Sequence, residues 1–289
     1  MEQLSLLEQA RRREPEHDDS SLIERISAVT VRELDEKLPV DLKVVAAYRS
    51  INDIRVEPMP HLASLTPEAS GLVMRLRAGD SWRRQRFGGF HEVGHTFQPG
   101  YYDQRLFRCA EPQPRDRGST DPESLSDIAA AELLMPRALC QPLVRASDFD
   151  LASVVALADA CESSVQASAY RFSQLWPEPT LVICLEPGFR KSEAQDPTAT
   201  KKLRVVSAWP TSGKWPFIPK NKSAKAGGPL SRALDGEFVH EGGSLAELDI
   251  DSLSRLEVSA RAFTYRRGDG ELQRRVLAIY RQTREAHGA

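Results

Sequence analysis

The stretch Arg86-Phe87-Gly88-Gly89-Phe90-His91-Glu92-Val93-Gly94-His95 is the one on which the reading of the fold turns. In an α-helix, positions i and i+4 lie on one face. Read as a helix, the segment sets the imidazoles of His91 and His95 side by side, with Glu92 next to them. Two imidazoles from one turn make half of the shell that Zn2+ requires, a tetrahedron of nitrogen and oxygen donors at about 2.0–2.2 Å. With 6 His among 289 residues, a His-Glu-x-x-His string arises by chance in about one such sequence in a hundred.

A catalytic site of this kind needs a third protein ligand and an open position for water. Working outward, Glu123 and Asp127 again stand at i and i+4, near the N-terminus of a helix read over Leu125 to Leu134 and closed by Pro136. One carboxylate of that pair can bind the ion, and Glu123 is the candidate. The other, Asp127, can accept the N–H of a ligating imidazole, which fixes the tautomer and raises ligand basicity. The chemistry implied is metal-assisted hydrolysis of a peptide bond, with Glu92 as the general base that passes a proton to the leaving amine. Between the two helices runs a polar loop of about 25 residues, a length common for functional loops. It carries Cys109. A thiolate is a strong zinc ligand, so Cys109 is a candidate inhibitory fourth ligand. Tyr101 and Tyr102 are candidates for the oxyanion by sequence proximity.

Composition sets the outer limits. Apolar residues are 40% and charged residues 28% of the chain, the range of a globular protein. Lys plus Arg is 39 against 41 Asp plus Glu, a net charge of −2, which excludes a histone-like binder that coats nucleic acid along its whole surface. The four cysteines, Cys109, Cys140, Cys161 and Cys184, form no CxxC pair, which excludes a zinc ribbon or a thioredoxin-type site. They read as small buried apolar residues. The N-terminus lacks the cationic start and apolar core of a signal peptide, and no run approaches the ~20 apolar residues of a membrane span. The expectation is a cytoplasmic protein with reduced thiols and no membrane partner.

Residues 1–19 read as a polar end, followed by helices from about Asp18 to Leu34 and over 40–49. Ile54–Glu57 and Leu72–Arg77 read as strands, with a loop around Pro60 to Ser70 between them. Residues 151–176 read as two helices about a Glu162-Ser163-Ser164 turn, the spacing of a helix-turn-helix and equally of any helical hairpin. From Pro179 the texture becomes that of a mixed α/β domain, with strands at 181–186, 203–209, 254–265 and 272–281. Within it, residues 201–230 hold Lys201, Lys202, Arg204, Lys214, Lys220, Lys222 and Lys225 and no Asp or Glu, interleaved with Trp209, Trp215 and Phe217. Cations for phosphates with aromatic platforms for bases, Trp215 among them, are what single-strand binding requires. A solvated lysine loop beside core tryptophans has the same composition.

Several of these segments resemble the ImmA/IrrE family of zinc metallopeptidases. Arg86-Phe87 before His91-Glu92-Val93-Gly94-His95 is similar to its RF…HExGH segment. Ala129-Ala130-Ala131-Glu132-Leu133-Leu134-Met135-Pro136 is similar to its AAxELLMP signature. Glu123, thirteen residues before Pro136, falls where the family places its third ligand, while Asp127 stands where many members have Asn. The resemblance covers about residues 20–180. It implies an α+β chain: a zincin-like metallopeptidase domain over 1–137, a helix-turn-helix-like segment over 138–178, and a mixed α/β, GAF-like sensor domain over 179–289. It also implies cleavage of an XRE-type helix-turn-helix repressor, derepressing a stress or mobile-element operon. Within the family, the similarity is to CapP-type proteases paired with CapH-type repressors beside anti-phage CBASS operons, which respond to DNA damage through single-stranded DNA. Two rivals from other classes are a DNA-binding transcription regulator with a structural metal site and a small-molecule sensor.

Overall fold

The computed structural model describes residues 4–69, 71–101, 121–193, 195, 196, 198–211, 213–251, 255–266 and 272–283, and of 107–109 the backbone alone. Among the described residues the chain forms nine α-helices and two β-sheets, a mixed α+β fold. By contact it divides into two units, residues 1–142 with 158–164, and residues 143–157 with 165–289. The helical stretch over 138–178 is thereby shared between both.

The first unit runs α1 (Leu6–Arg13), α2 (Asp19–Glu33), α3 (Leu42–Tyr48), β1 (Ile51–Glu57), β2 (Ala63–Glu68), β3 (Gly71–Arg77), α4 (Trp82–His95), β4 (Phe107–Cys109) and α5 (Pro122–Leu134). Its sheet has the order β1-β3-β2-β4, parallel between β1 and β3 and antiparallel elsewhere. Besides β4, which lies in the span read as a polar loop, two elements depart from the sequence reading. The polar start contains α1, fixed by a capping box in which Ser5 and Glu8 satisfy each other's backbone N–H groups. Its Leu7 is buried, and the Leu7 N–H donates to the Phe97 carbonyl at 2.9 Å. The expected loop over 60–70 holds β2. Ser64, Thr66 and Pro67 disguise it, yet Ala63 and Leu65 are wholly buried, and Pro67 lies past the three residues that β4 pairs with.

Helix α2 starts where Asp18 accepts from the Ser21 N–H at 2.7 Å, and it buries Leu22, Ile23 and Val31. Helix α4 lies in the middle of the unit and is buried almost throughout its second half. Its glycines permit this. A Cβ at Gly89 would meet the Leu42 side chain at 2.4 Å, and one at Gly94 would meet Ala129 Cβ at 2.8 Å and Ser126 Cα at 3.0 Å. Helices α4 and α5 therefore cross nearly backbone to backbone.

Helix α6 (Arg137–Arg145) and α7 (Leu151–Cys161) follow, both divided between the units. The second unit adds α8 (Val165–Leu175), β5 (Thr180–Gly188), β6 (Lys202–Pro210), α9 (Pro229–Asp235), β7 (Val239–Gly243), β8 (Leu256–Arg266) and β9 (Leu272–Gln282). Its antiparallel sheet has the order β6-β5-β9-β8-β7. Strand β5, between β6 and β9, is buried on both faces. Leu181, Ile183 and Leu185 join Leu230 and Ala233 of α9 in one core. Cys184 lies on the other face, its Sγ 4.0 Å from Gln166 Oε1 of α8. Double burial makes this strand an unbroken apolar run rather than an alternating one.

Candidate metal centre

His91 and His95 are each 1% exposed and Glu92 is wholly buried, all on α4. The rings of His91 and His95 lie 4.9 Å apart, nearly edge to face. Helix α5 begins where Asp121 accepts from the N–H and hydroxyl of Ser124, with Pro122 in the first helical position. That start puts Glu123 in the first turn, facing the histidines: Glu123 Oε2 is 3.2 Å from His91 Nε2, and Glu123 Oε1 is 3.4 Å from His95 Nε2. His91, His95 and Glu123 together could hold a metal ion.

Two observations test whether these residues fit such an ion. The first is reach: the two carboxylate oxygens of Glu123 lie 3.2 Å from His91 Nε2 and 3.4 Å from His95 Nε2, so one ion could take a nitrogen from each ring and an oxygen from the carboxylate. The second is the proton count. His91 Nδ1 is 2.8 Å from Asp127 Oδ1, and a carboxylate accepts, so that nitrogen carries the proton. When the ring is neutral its lone pair is on Nε2, facing the Glu123 carboxylate, where a cation could lie between them. Burial, reinforced by the neighbouring His91, lowers the His95 imidazole to about 3, leaving it neutral, as a ligand must be.

Supporting contacts fix both helices. Gln98, 5% exposed, donates from Nε2 to the Pro122 carbonyl at 2.9 Å and to Ser126 Oγ at 2.8 Å. It ties the end of α4 to the turn that carries Glu123. Arg49 donates to the hydroxyl and carbonyl of Thr96 at 3.0 and 2.9 Å, closing the C-terminal end of α4. Arg86 is buried between Trp82 and Phe90, and its Nη2 donates to the Val40 carbonyl at 2.9 Å. Glu132, from the segment preceding Pro136, accepts from the Arg137 N–H at 2.9 Å and so starts α6. The sequence reading passed over Gln98 and the packing role of Gly94. Gln98 has no sequence signal, whereas a glycine between two ligands on one helix is a legible mark of close approach.

Other expected site residues lie elsewhere. Cys109 is in β4, paired with Ala63, and its side chain, like Tyr102, lies outside the described residues. Tyr101 is buried. In the second unit Lys201, Lys202, Lys214, Lys220 and Lys225 are exposed and Lys222 is half-buried. Lys222 and Lys225 both pair with Asp249. Arg204 is not a surface cation: it is 3% exposed, and its guanidinium donates to the carbonyls of Gly188 and Asn221 and to Glu193. It lies on the face of β6 opposite to Leu203 and Val205, which join the core, and is buried because Gly188, Glu193 and Asn221 cover it there. Trp215 is half-buried against the core of the sheet, leaving Phe217, 85% exposed, as the solvent-facing ring of the segment. Among the described residues no helix is long and apolar enough to cross a membrane.

No family model matches the chain, and no curated protein matches it. Among solved structures, it is similar in fold to one described as a Mycobacterium tuberculosis transcriptional regulator. The TM-score is 0.56 at 9% identity, over 96% of this chain and 79% of that one.

Proposed function

We propose that this protein is a zinc-dependent endopeptidase that controls gene expression by cutting a helix-turn-helix repressor of the XRE, CapH-like type, with single-stranded DNA as its activator. In this reading the first unit is a zincin-like peptidase and the strands after Pro179 form a GAF-like sensor. The observation that carries the proposal is the convergence of His91, His95 and Glu123 beside a wholly buried Glu92. A buried carboxylate is costly to keep, and a metal that serves structure alone has no use for one beside its ligands.

His91, His95 and Glu123 would hold the ion, and Asp127 would keep the His91 proton on Nδ1. When bound, zinc supplies Lewis-acid polarisation of the scissile carbonyl and of water. Glu92 takes the proton of the attacking water and delivers it to the departing amine nitrogen. The buried walls around Glu92 exclude bulk water and strengthen each charge interaction. Exposed Lys201, Lys202, Lys214 and Lys220 with Phe217 support contact with a single strand.

The test mixes purified protein with the helix-turn-helix repressor encoded beside it, with and without single-stranded DNA at two salt concentrations. Glu92→Gln is the control. Cleavage that needs Glu92 and rises with DNA supports the whole proposal. Cleavage indifferent to DNA keeps the peptidase and removes the activator. Full activity in Glu92→Gln refutes the peptidase. The fold likeness to a transcriptional regulator favours a second reading, a DNA-binding regulator with a structural metal. That reading gains if the protein binds zinc and duplex DNA and cuts nothing.

A further inference from the structure

Cys140 and Cys161 lie 21 residues apart in the chain, and their Sγ atoms are 3.6 Å apart. Both are wholly buried, and both belong to the first unit. Cys140 is in the middle of α6, and Cys161 is the last residue of α7. Between them the chain leaves the first unit after Pro142 and returns at Ala158. Nothing in the proposed hydrolysis uses either thiol.

We propose that Cys140 and Cys161 form an oxidisable dithiol, a modification site whose reactant is a peroxide and whose product is an intramolecular disulfide. One sulfur attacks hydrogen peroxide: an S–O bond forms, the O–O bond breaks, and the leaving hydroxide departs as water with the thiol proton. The second sulfur attacks the sulfenyl sulfur: the S–S bond forms, the S–O bond breaks, and a second water leaves. Two thiols and one peroxide give one disulfide and two waters, the sulfurs losing two electrons and the peroxide gaining them. The sulfurs must close from 3.6 Å to about 2.05 Å, a shift of about 1.5 Å.

Access comes from local opening. Helix α6 carries Pro142 in its interior, so the Ala138 carbonyl has no N–H to receive from residue 142. Cys140 sits midway between residues 138 and 142, inside the turn that lacks this bond. Once the first sulfur is oxidised, the neighbouring thiol captures it before further oxidation to the sulfinic acid, which is irreversible for most proteins. Cys184 is a natural contrast, equally buried but with Gln166 rather than a cysteine as its neighbour. The bond would also bear on α4. Arg86 Nη2 donates to the Cys161 carbonyl at 3.4 Å, and Arg86 Nη1 is 3.6 Å from Glu162. Tying Cys161 to α6 fixes the segment that the start of α4 grips.

The full-length protein is exposed to hydrogen peroxide with and without mild urea, alkylated, digested without reductant and mapped by mass spectrometry. Expected is a Cys140–Cys161 linked peptide about 2 Da lighter than its two halves, which dithiothreitol reverses. The melting temperature rises on the order of 10 °C on oxidation. Cys140→Ala and Cys161→Ser each abolish both changes, and either variant alone suffices if the other fails to fold. Separate sulfinic acids at the two positions overturn the proposal. So does recovery of both as thiols under urea conditions in which a thiol reagent labels them.

Discussion

Gly94→Ala tests whether the helix crossing sets the metal centre. The new Cβ would stand 2.8 Å from Ala129 Cβ, 3.0 Å from Ser126 Cα and 3.1 Å from the Ser126 carbonyl oxygen. Carbon atoms in contact prefer about 3.5–4.0 Å, so α5 must back away from α4 by about 0.7 Å or more. Two of the three obstacles are backbone, which no side-chain rotation relieves. Overpacking of this kind costs about 1–3 kcal/mol, and replacing glycine inside a helix returns about 1 kcal/mol. The net loss of stability is therefore small, about 0–2 kcal/mol. The loss at the site is larger in proportion, because ligands must be held to within about 0.5 Å and Glu123 rides on the helix that moves. Zinc affinity is expected to fall at least about tenfold, equivalent to about 1.4 kcal/mol. Competition with a chromophoric chelator reads the affinity, and thermal melts with and without chelator read the stability. Gly94→Ala with Ala129→Gly removes the tightest contact and should recover part of the loss. Wild-type affinity in Gly94→Ala would refute the reasoning.

Three further outcomes are expected. Asp127→Ala removes the acceptor 2.8 Å from His91 Nδ1 and lowers zinc affinity about 10–100-fold; in the same chelator titration, an unchanged value would remove Asp127 from the site. Gln98→Glu keeps the shape but, ionised, offers no donor to the Pro122 carbonyl. It should cost about 1–3 kcal/mol and weaken zinc binding, with Gln98→Leu at least as severe; urea melts that match wild type would contradict this. In the metal-free protein the His95 imidazole is lowered to about 3 from an ordinary 6.5. The unfolded chain thus binds the proton more readily, so the stability contribution is complete above about pH 6.5 and drains away as pH falls toward 3. The slope approaches 1.4 kcal/mol per pH unit, and His95→Gln should remove that share between about pH 7 and pH 5.

How much of this was legible follows from what each residue does. The grouping of His91 with His95 could be read because i, i+4 spacing is a local property of a helix. The pairing of α4 with α5 was legible only through Glu123 and Asp127, which repeat the same spacing. Strand β5 showed itself as a continuous apolar run because both its faces are covered. The α1 helix was hidden because its stability comes from a capping box and one buried leucine, not from an apolar stripe. Strand β2 was hidden because its neighbours, β3 and β4, supply the order that its own residues do not advertise. Arg204 was misread because charge is counted along the chain, whereas its burial comes from Gly188, Glu193 and Asn221, which cover it from other segments. That cover leaves a basic segment with fewer surface cations than the sequence promised.

The candidate metal centre is positioned by contacts that involve no ion. Its imidazoles are buried on a helix held toward both ends by Arg86 and Arg49, and that helix meets α5 where Gly94 lies against Ala129 and Ser126. Glu123 is carried on α5, so the same crossing that packs the core also sets the reach of the carboxylate to the two rings. An ion bound there would add stability by mass action, which ties the chelator titration and the thermal melt to one free energy. In the proposed reading a wholly buried Glu92 beside the candidate ligands has a physical reason to persist, since the cost of burying a carboxylate is then offset by the use of its charge.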